Sequence, residues 1–306
     1  MEDYIKFLND NYKVKAHECI LLRESSDNRV YKVISIDNNK YILRESKREL
    51  GSDILFELGW LDKLHQLNFP VARVLRTNYG EMYVTKNEKV LVLFSYIEGQ
   101  HIKIQKDTKP SIQHTQNAAI ALASIHNVST SIDLAIPRNR TVTTELNRVL
   151  SNSDAFSNYY DEGRIFIDLV KKYYEFAHNS KQIQSLILND YRSGNVLFSG
   201  DKVVGVLDFD WSCIGPRIKD IAHSLMEWSF PDGAEKPWFD IMEAFLQAYN
   251  NSSSIKFELG IELFEWIKFS ALSDTATYLY DLMQREEKRT IKGSYMYQKF
   301  LYFSQD

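Results

Sequence analysis

Cysteine, proline and glycine are scarce in this sequence of 306 residues, and each shortage excludes a class of protein. The two cysteines cannot form a disulfide framework or a Cys-x-x-Cys metal site, so we expect a reducing, cytoplasmic location. Six prolines and twelve glycines argue against long low-complexity linkers. Because no apolar run is long enough to span a bilayer and the start is polar, we expect neither a membrane anchor nor a signal peptide.

Charge is unevenly divided along the chain, although its net value is only −4. Residues 1–150 carry 21 Lys and Arg against 18 Asp and Glu, whereas residues 151–306 carry 16 against 23. This division is compatible with phosphate binding in the first part and a metal or cationic ligand in the second, but also with ordinary solvated surfaces. No cluster of Lys and Arg with interleaved aromatic residues is present, which argues against a nucleic-acid partner. The oligomeric state leaves no signature in the sequence.

Two differently patterned parts are predicted. Residues 1–98 contain mainly short β-rich runs in antiparallel pairs, for example 28–36 and 40–45 on either side of a hairpin turn. One helix is predicted over 52–67, from the helical spacing of its apolar residues, with Ser52 as its N-cap. This order predicts a small α+β lobe built on an antiparallel sheet.

Residues 99–306 have the 3.6-residue apolar periodicity of amphipathic helices and are predicted to form a larger, mainly helical lobe. One strand pair interrupts these helices, at 195–198 and 202–209, across a turn at Gly200. The fold class predicted from this pattern is α+β with two lobes.

Polar residues stand at the ends of this strand pair. Asp190 follows the apolar run SLIL, Asn195 begins the first strand, and Asp208 ends the second. Because a tight hairpin joins the strands, Asn195 and Asp208 are predicted to lie close together, with Asp190 one loop away. Amide and carboxylate oxygens suit Mg²⁺, and a nearby carboxylate can accept a hydroxyl proton. A simple turn role for Asp190 and Asn195 is the alternative.

The stretches NDYRSGN, VLDFD and GPRIKDIA resemble the aminoglycoside phosphotransferase and choline kinase superfamily, which shares the protein-kinase-like fold. The resemblance implies that Asp190 is the catalytic base, that Asn195 and Asp208 bind Mg²⁺, and that Asp220 braces the catalytic loop. The His-Gly that precedes the catalytic aspartate in the family is replaced here by Leu188-Asn189. Asp210 has two open roles, a second metal contact or a hydrogen bond to the loop.

The same resemblance implies a nucleotide site in residues 1–98. Arg44 stands where relatives carry a basic residue for the nucleotide phosphates, and Glu57 would hold it, with Lys40 as the fallback. The other implied cofactor-binding residues offer hydroxyl, amide or backbone groups, in place of the glycine loop or at the adenine-binding hinge: Ser25, Ser26, Asn28, Ser95, Tyr96 and Ile97.

The implied function is an ATP- and Mg²⁺-dependent phosphotransferase, with GTP as the other candidate nucleotide, that phosphorylates a hydroxyl of a small molecule. An aminoglycoside, another antibiotic, homoserine or another amino alcohol, and a sugar are open acceptors, and the chain most resembles the bacterial homoserine kinase type. Four acidic residues of the later helices could serve an amine-bearing acceptor, although acidic helix faces are common: Glu227, Asp232, Asp274 and Asp281.

Two other functions fit parts of the sequence. A haloacid-dehalogenase-like hydrolase would use Asp208 as nucleophile and Asp210 as acid and base, but it needs alternating strands and helices after residue 223, where mainly helices are predicted. A catalytically idle ATP-binding pseudokinase is suggested by Leu188-Asn189. The retained set of charged residues favours an active kinase.

Overall fold

The computed structural model describes residues 2–25, 28–47 and 51–305. The chain forms two compact units. The first unit consists of three segments, Met1–Gln100, Ile132–Asn139 and Val204–Asp210. The second unit consists of His101–Ser131, Arg140–Val203 and Trp211–Asp306. The sequence predicts one boundary, after residue 98. In the structure, the first unit also includes two segments from later in the chain.

The first unit is an antiparallel sheet of five strands with two helices. Its elements, in chain order, are α1 (Glu2–Asn11), β1 (Ala16–Glu24), β2 (Asn28–Ser35), β3 (Lys40–Ser46), α2 (Ser52–Gln66), β4 (Val84–Lys86) and β5 (Lys89–Ser95). The strand order is β1-β2-β3-β5-β4, which makes β3 the central strand. The strands predicted at 28–36 and 40–45 are therefore neighbours, as expected.

Helix α1 is additional to the one predicted helix. Its short amphipathic sequence buries Phe7 and Leu8 in the cluster that contains Val33, Leu43 and Leu93 of the sheet. Each fully buried aliphatic or aromatic side chain stabilises the fold by about 1.5–3 kcal/mol. This packing stabilises α1, which is too short to be a stable helix by itself.

Helix α2 matches the predicted helix, but its start differs by one residue. The helix begins at Ser52, and Gly51 occupies the N-cap position with extended backbone angles. The prediction that Ser52 is the N-cap is therefore wrong by one position.

The second unit is mainly helical. Its helices are α3 (Ile112–Ser129), α4 (Thr144–Leu150), α5 (Ser153–Tyr159), α6 (Gly163–His178), α7 (Arg217–Ser229), α8 (Phe239–Ser252), α9 (Ile261–Gln284) and α10 (Tyr295–Tyr302). Helix α3 packs on α8, and α7 packs on both α8 and α9. Among the described residues, no helix combines the length and the apolar character needed to cross a membrane.

Four short strands accompany these helices: β6 (Gln184–Ile187), β7 (Val196–Ser199), β8 (Lys202–Val206) and β9 (Cys213–Pro216). The two-stranded sheets are β6-β9 and the predicted hairpin β7-β8. Strand β8 ends at Val206, earlier than the predicted residue 209. Asp208 has a φ of 61°, and such a left-handed backbone is incompatible with an extended strand.

Candidate active site

Arg44 and Glu57, predicted from the sequence as a pair, form a buried ion pair in the first unit. Nη1 of Arg44 lies 2.5 Å from Oε1 of Glu57, and Nη2 lies 3.0 Å from Oε2. The two parallel bonds tie the central strand β3 to helix α2. Burial lowers the pKa of Arg44, but the neighbouring carboxylates raise it above its usual value. Burial raises the pKa of Glu57, and the Arg44 guanidinium opposes that rise.

Asp210 joins this ion pair. Its Oδ1 lies 3.0 Å from Nη1 of Arg44, and its Oδ2 accepts a hydrogen bond of 2.6 Å from Nδ2 of Asn28. One guanidinium therefore serves two carboxylates, so that Arg44, Glu57, Asp210 and Asn28 form a single polar cluster in the first unit. This cluster brings together three of the predicted nucleotide-binding residues.

Of the residues predicted to replace the glycine loop, the structure describes Ser25 and Asn28. Ser25 donates from its backbone N–H to the carbonyl of Asn28 at 2.8 Å, and its Oγ accepts from the backbone N–H of Asn28 at 3.1 Å. Ser26, also predicted, lies outside the described residues. Ser25 and Asn28 are thus bonded to each other through backbone and hydroxyl groups.

The predicted hinge begins at Ser95, the last residue of β5. The backbone N–H of Ser95 donates to the carbonyl of Arg73 at 2.9 Å, and its hydroxyl accepts from the N–H of Arg73. The ring of Tyr96 lies beneath the ammonium groups of Lys32 and Lys40, at 5.6 and 5.4 Å. The N–H of Ser95 is therefore already bonded, and the adenine contacts predicted for the backbone of Ser95, Tyr96 and Ile97 stay a prediction.

Asp208 belongs to the first unit, and Asn195 belongs to the second. The segment around Asp208 is anchored at both sides: Val206 donates to the carbonyl of Pro70 at 2.7 Å, and Phe209 packs edge-on against Trp60 of α2 at 5.1 Å. The described residues contain no group of three or more His, Cys, Asp or Glu side chains arranged to hold a metal ion. A metal shared by Asn195 and Asp208 stays a prediction.

Asp190 and Asn195 lie together in the loop before β7. Nδ2 of Asn195 donates to the carbonyl and to Oδ2 of Asp190, both at 2.9 Å. Nε of Arg192 lies 3.2 Å from Oδ1 of Asp190. Burial raises the pKa of Asp190, while the cationic Arg192 opposes this effect. The amide of Asn195 thus fixes the orientation of the Asp190 carboxylate.

Asp220 holds the start of this loop. Its carboxylate accepts hydrogen bonds from the backbone N–H groups of Leu188 at 2.8 Å and Asn189 at 2.6 Å. Nε2 of His126 lies 3.0 Å from the same carboxylate, and Nδ1 of His126 lies 2.8 Å from the hydroxyl of Tyr249. Burial raises the pKa of Asp220, but these bonds bring it below its ordinary value. The arrangement matches the predicted bracing role of Asp220.

The replacement of His-Gly by Leu188-Asn189 is accommodated within the loop. Leu188 is buried, and Asn189 has a φ of 66°, a left-handed conformation that asparagine tolerates better than most residues. Nδ2 of Asn189 donates to the carbonyl of Trp211 at 3.2 Å, and Nζ of Lys219 donates to the carbonyl of Asn189 at 2.9 Å. Side-chain and backbone bonds therefore fix the loop without the family histidine.

A buried histidine beside Asp190 was not identified from the sequence. Nε2 of His223 lies 3.9 Å from Oδ1 of Asp190 and 3.3 Å from Oδ2 of Asp274, and His223 is only 3% exposed. Farther along α7, Glu227 accepts from the buried Lys299 at 2.9 Å. The only sequence signal for His223 was its position one turn after Asp220 on α7, because the contact with Asp274 joins two helices.

Comparison with known proteins identifies relatives over most of the chain. The sequence model of the phosphotransferase enzyme family matches residues 18–254. Homoserine kinase of Pseudomonas aeruginosa is 26% identical over 235 residues, which cover 75% of this chain and 70% of the relative.

Solved structures show the same fold. Amicoumacin kinase hAmiN, in complex with AMP-PNP, Ca²⁺ and Ami, has a TM-score of 0.75 at 17% identity and covers 99% of this chain and 91% of its own. Choline kinase from Cryptosporidium parvum has a TM-score of 0.65 at 12% identity, with 99% and 94% covered. These likenesses confirm the predicted α+β, protein-kinase-like fold class.

Proposed function

Because the chain belongs to the phosphotransferase enzyme family and is therefore a small-molecule kinase that acts on hydroxyl groups, we propose that it uses ATP and Mg²⁺ to phosphorylate an amine-bearing alcohol. The observation that carries this proposal is the partly buried Asp190 carboxylate, oriented by Asn195 in a loop that Asp220 braces. We keep the predicted cytoplasmic location in this proposal, because the free, buried thiols of Cys19 and Cys213 suit a reducing compartment.

Arg44 is the proposed contact for the nucleotide phosphates. Its guanidinium stays charged, because Glu57 and Asp210 raise its pKa, and a guanidinium can bind phosphate oxygens in a forked arrangement. Lys40, the fallback candidate, instead pairs with Glu98 at the surface, at 3.0 Å. The contacts therefore favour Arg44 over Lys40.

Asp190 is the proposed base. Its ionised carboxylate accepts the proton of the acceptor hydroxyl while that oxygen forms a bond to the γ-phosphorus, and the bond from the γ-phosphorus to the bridging oxygen of ADP breaks. The bonds from Asn195 and Arg192 hold the carboxylate in one orientation, which lowers the entropy lost on reaching the transition state.

The donor set of this chain fits Mg²⁺. Asn195 and Asp208 would supply hard oxygen ligands, and the two bonds made by Nδ2 of Asn195 leave its amide oxygen as the atom that would bind the metal. When bound, Mg²⁺ would neutralise charge on the nucleotide phosphates. Two protein ligands suit this ion, which usually retains waters and phosphate oxygens.

The acceptor proposed here carries a cationic nitrogen. Two of the relatives are named as a homoserine kinase and a choline kinase. Homoserine and choline each combine a hydroxyl with such a nitrogen. Near Asp190, the carboxylate of Asp274 stays ionised, because the His223 imidazole lowers its pKa although burial raises it, and its side chain is 28% exposed. Lys299 similarly lowers the pKa of Glu227 against the effect of burial. These carboxylates support binding of an ammonium group.

The test is a panel of alcohols offered with ATP and Mg²⁺, and with GTP in a parallel series. The panel contains homoserine, choline, simple amino alcohols, aminoglycosides, macrolides and sugars, with des-amino analogues as controls. We expect phosphorylation of an amine-bearing alcohol and a fall of about 100-fold or more in kcat for Asp190→Asn. Asp201→Asn, an exposed aspartate of the same unit, is the matched control and should keep the wild-type rate.

Two results would contradict the proposal. One is ATP binding without phosphorylation of any acceptor above the Asp190→Asn level, as the idle pseudokinase predicts. The other is a full rate for Asp190→Asn. The idle alternative gains no support from the relatives named above, all of which are named as kinases.

A further inference from the structure

Residues 132–139, here termed the strap, follow α3 in the chain but belong to the first unit. The strap packs closely against α2. A Cβ atom added at Gly59 of α2 would lie 3.2 Å from Cδ1 of Ile136 and 3.8 Å from Cδ2 of Leu134. A glycine inside a helix destabilises it by about 1 kcal/mol relative to alanine, and here its lack of a side chain allows this close approach.

Arg138 of the strap bonds two backbone carbonyl groups. Its Nη1 donates to the carbonyl of Asp53 at 2.6 Å, and its Nη2 donates to the carbonyl of Asp210 at 2.6 Å. The side chain is 2% exposed, and its guanidinium lies over the ring of Phe56 at 5.3 Å. The carboxylate of Asp53, at 3.8 Å, balances part of the buried positive charge.

The two carbonyl groups belong to the two segments that hold Arg44. In an α-helix the carbonyl of residue i accepts from the N–H of residue i+4, so the carbonyl of Asp53 is the helical partner of Glu57. A carbonyl oxygen has two lone pairs and can accept both bonds. Asp210, the other partner of Arg138, contacts Arg44 through its side chain.

A second bond strengthens the same connection. The backbone N–H of Asn139 donates to Oδ1 of Asp53 at 2.7 Å. The strap therefore holds the first turn of α2 through both the carbonyl and the carboxylate of Asp53. The other end of the guanidinium holds the backbone two residues after Asp208.

We propose that Arg138 is a positioning residue for nucleotide binding, which keeps Glu57 of α2 and Asp210 at the distances that Arg44 requires. This inference rests on the proposed use of ATP. The planar guanidinium is suited to the task because its two terminal nitrogens reach two carbonyl groups at once. The single ammonium of lysine cannot reproduce that geometry.

The experiment compares wild type with Arg138→Lys and Arg138→Gln by calorimetric ATP binding, with and without Mg²⁺, by steady-state kinetics and by thermal unfolding. We expect Arg138→Lys to raise the Kd and KM for ATP about tenfold, with the KM for the acceptor within twofold of wild type. Arg76→Lys, which alters an exposed pair with Asp62 in the same unit, is the matched control and should bind ATP as wild type does.

A double-mutant cycle with Glu57→Gln gives a readout that a general loss of stability would not produce. If Arg138 acts through Glu57, the two substitutions together should weaken ATP binding by clearly less than the product of their separate effects. Multiplicative effects, or an unchanged ATP Kd in Arg138→Lys, would overturn the inference. So would a lowered Tm with an unchanged KM for ATP.

The outcome for wild type separates this inference from the proposed function. A wild-type chain that binds no ATP refutes both. A wild-type chain that binds ATP and phosphorylates an acceptor, while Arg138→Lys binds ATP equally well, refutes only the role of Arg138. Measurement of binding without acceptor ensures that failure to find the acceptor does not affect the test.

Discussion

Oδ1 of Asp220 lies 2.6 Å from the backbone nitrogen of Asn189, so a carboxylate on α7 holds the backbone directly before Asp190. Both groups are buried, and His126 and the N–H of Leu188 complete the set of donors to the carboxylate. The geometry of the loop therefore depends on a charge 31 residues away in sequence. Such a buried, fully bonded carboxylate makes the loop sensitive to small changes.

Asp220→Asn should destabilise the protein. The amide has one acceptor oxygen where the carboxylate has two, so at least one buried N–H loses its partner. We expect the free energy of unfolding to fall by about 3 kcal/mol, measured by urea denaturation. Asp281→Asn, which alters a partly exposed pair with Arg148, should lower it by less than about 1 kcal/mol. Equal stability of the two variants would argue against the bracing role.

Arg44→Lys should weaken ATP binding more than Lys40→Ala. Lysine at position 44 cannot bond Glu57 with two parallel bonds while also contacting Asp210, so the phosphate-binding group loses its fixed position. We expect the Kd for ATP to rise about tenfold or more in Arg44→Lys and to stay within about twofold in Lys40→Ala, measured by calorimetry. The reverse order would identify Lys40 as the phosphate-binding residue.

Asp274→Asn should weaken acceptor binding without affecting the nucleotide. The substitution removes a partly exposed negative charge near Asp190 that is proposed to attract the ammonium group of the acceptor. We expect the KM for the amine-bearing acceptor to rise about tenfold, with the KM for ATP unchanged, in initial-rate measurements. A des-amino acceptor should show little change. A loss of the same size for both acceptors would contradict the ammonium role.

His223→Gln should alter stability in a pH-dependent way. Burial lowers the pKa of His223, but Asp274 and Asp190 outweigh burial and the nearby Lys219 and raise it above its ordinary value. The stability from a raised pKa is fully present below the unfolded-state pKa of about 6.5 and is lost as pH rises through the folded-state value. The stability difference between wild type and variant should thus be larger at about pH 5.5 than at about pH 9.

Urea denaturation at the two pH values measures this difference. Asp274 has a lowered pKa, so its own contribution is present above the unfolded-state value and is lost only as pH falls through the lower folded-state value. Both partners are therefore charged near pH 5.5. A difference that is constant, or that grows with rising pH, would show that His223 is not held in its charged form.

The site residues found from sequence were those whose contacts are short in sequence or follow a recognised pattern. Asp190 and Asn195 are five residues apart in one loop, and Arg44 and Glu57 are 13 apart on a strand and the helix that follows it. Regular geometry over such short distances restricts where the side chains can lie. The loop placed Asp190 close to Asn195, whereas the pairing of Arg44 with Glu57 was implied by the resemblance to the kinase superfamily.

Contacts between segments far apart in sequence could not be predicted from a local pattern. Arg138 and Asp210 are 72 residues apart, and His223 and Asp274 lie on different helices. Arg138 and His223 each resemble ordinary surface residues in sequence. Their roles depend on which elements pack together, which is determined by the fit of many side chains and not by a local pattern.

The amino-acid order by itself determined the family and the alternation of sheet and helix, because motif spacing and apolar periodicity are local properties of the chain. Only the tertiary structure decided that residues 132–139 join the first unit, that Asp210 contacts Arg44, and that β8 stops before Asp208. These features arise from burial and hydrogen bonding between segments far apart in sequence. Such contacts stabilise the protein only after the segments have packed together, so no local pattern in the sequence reveals them.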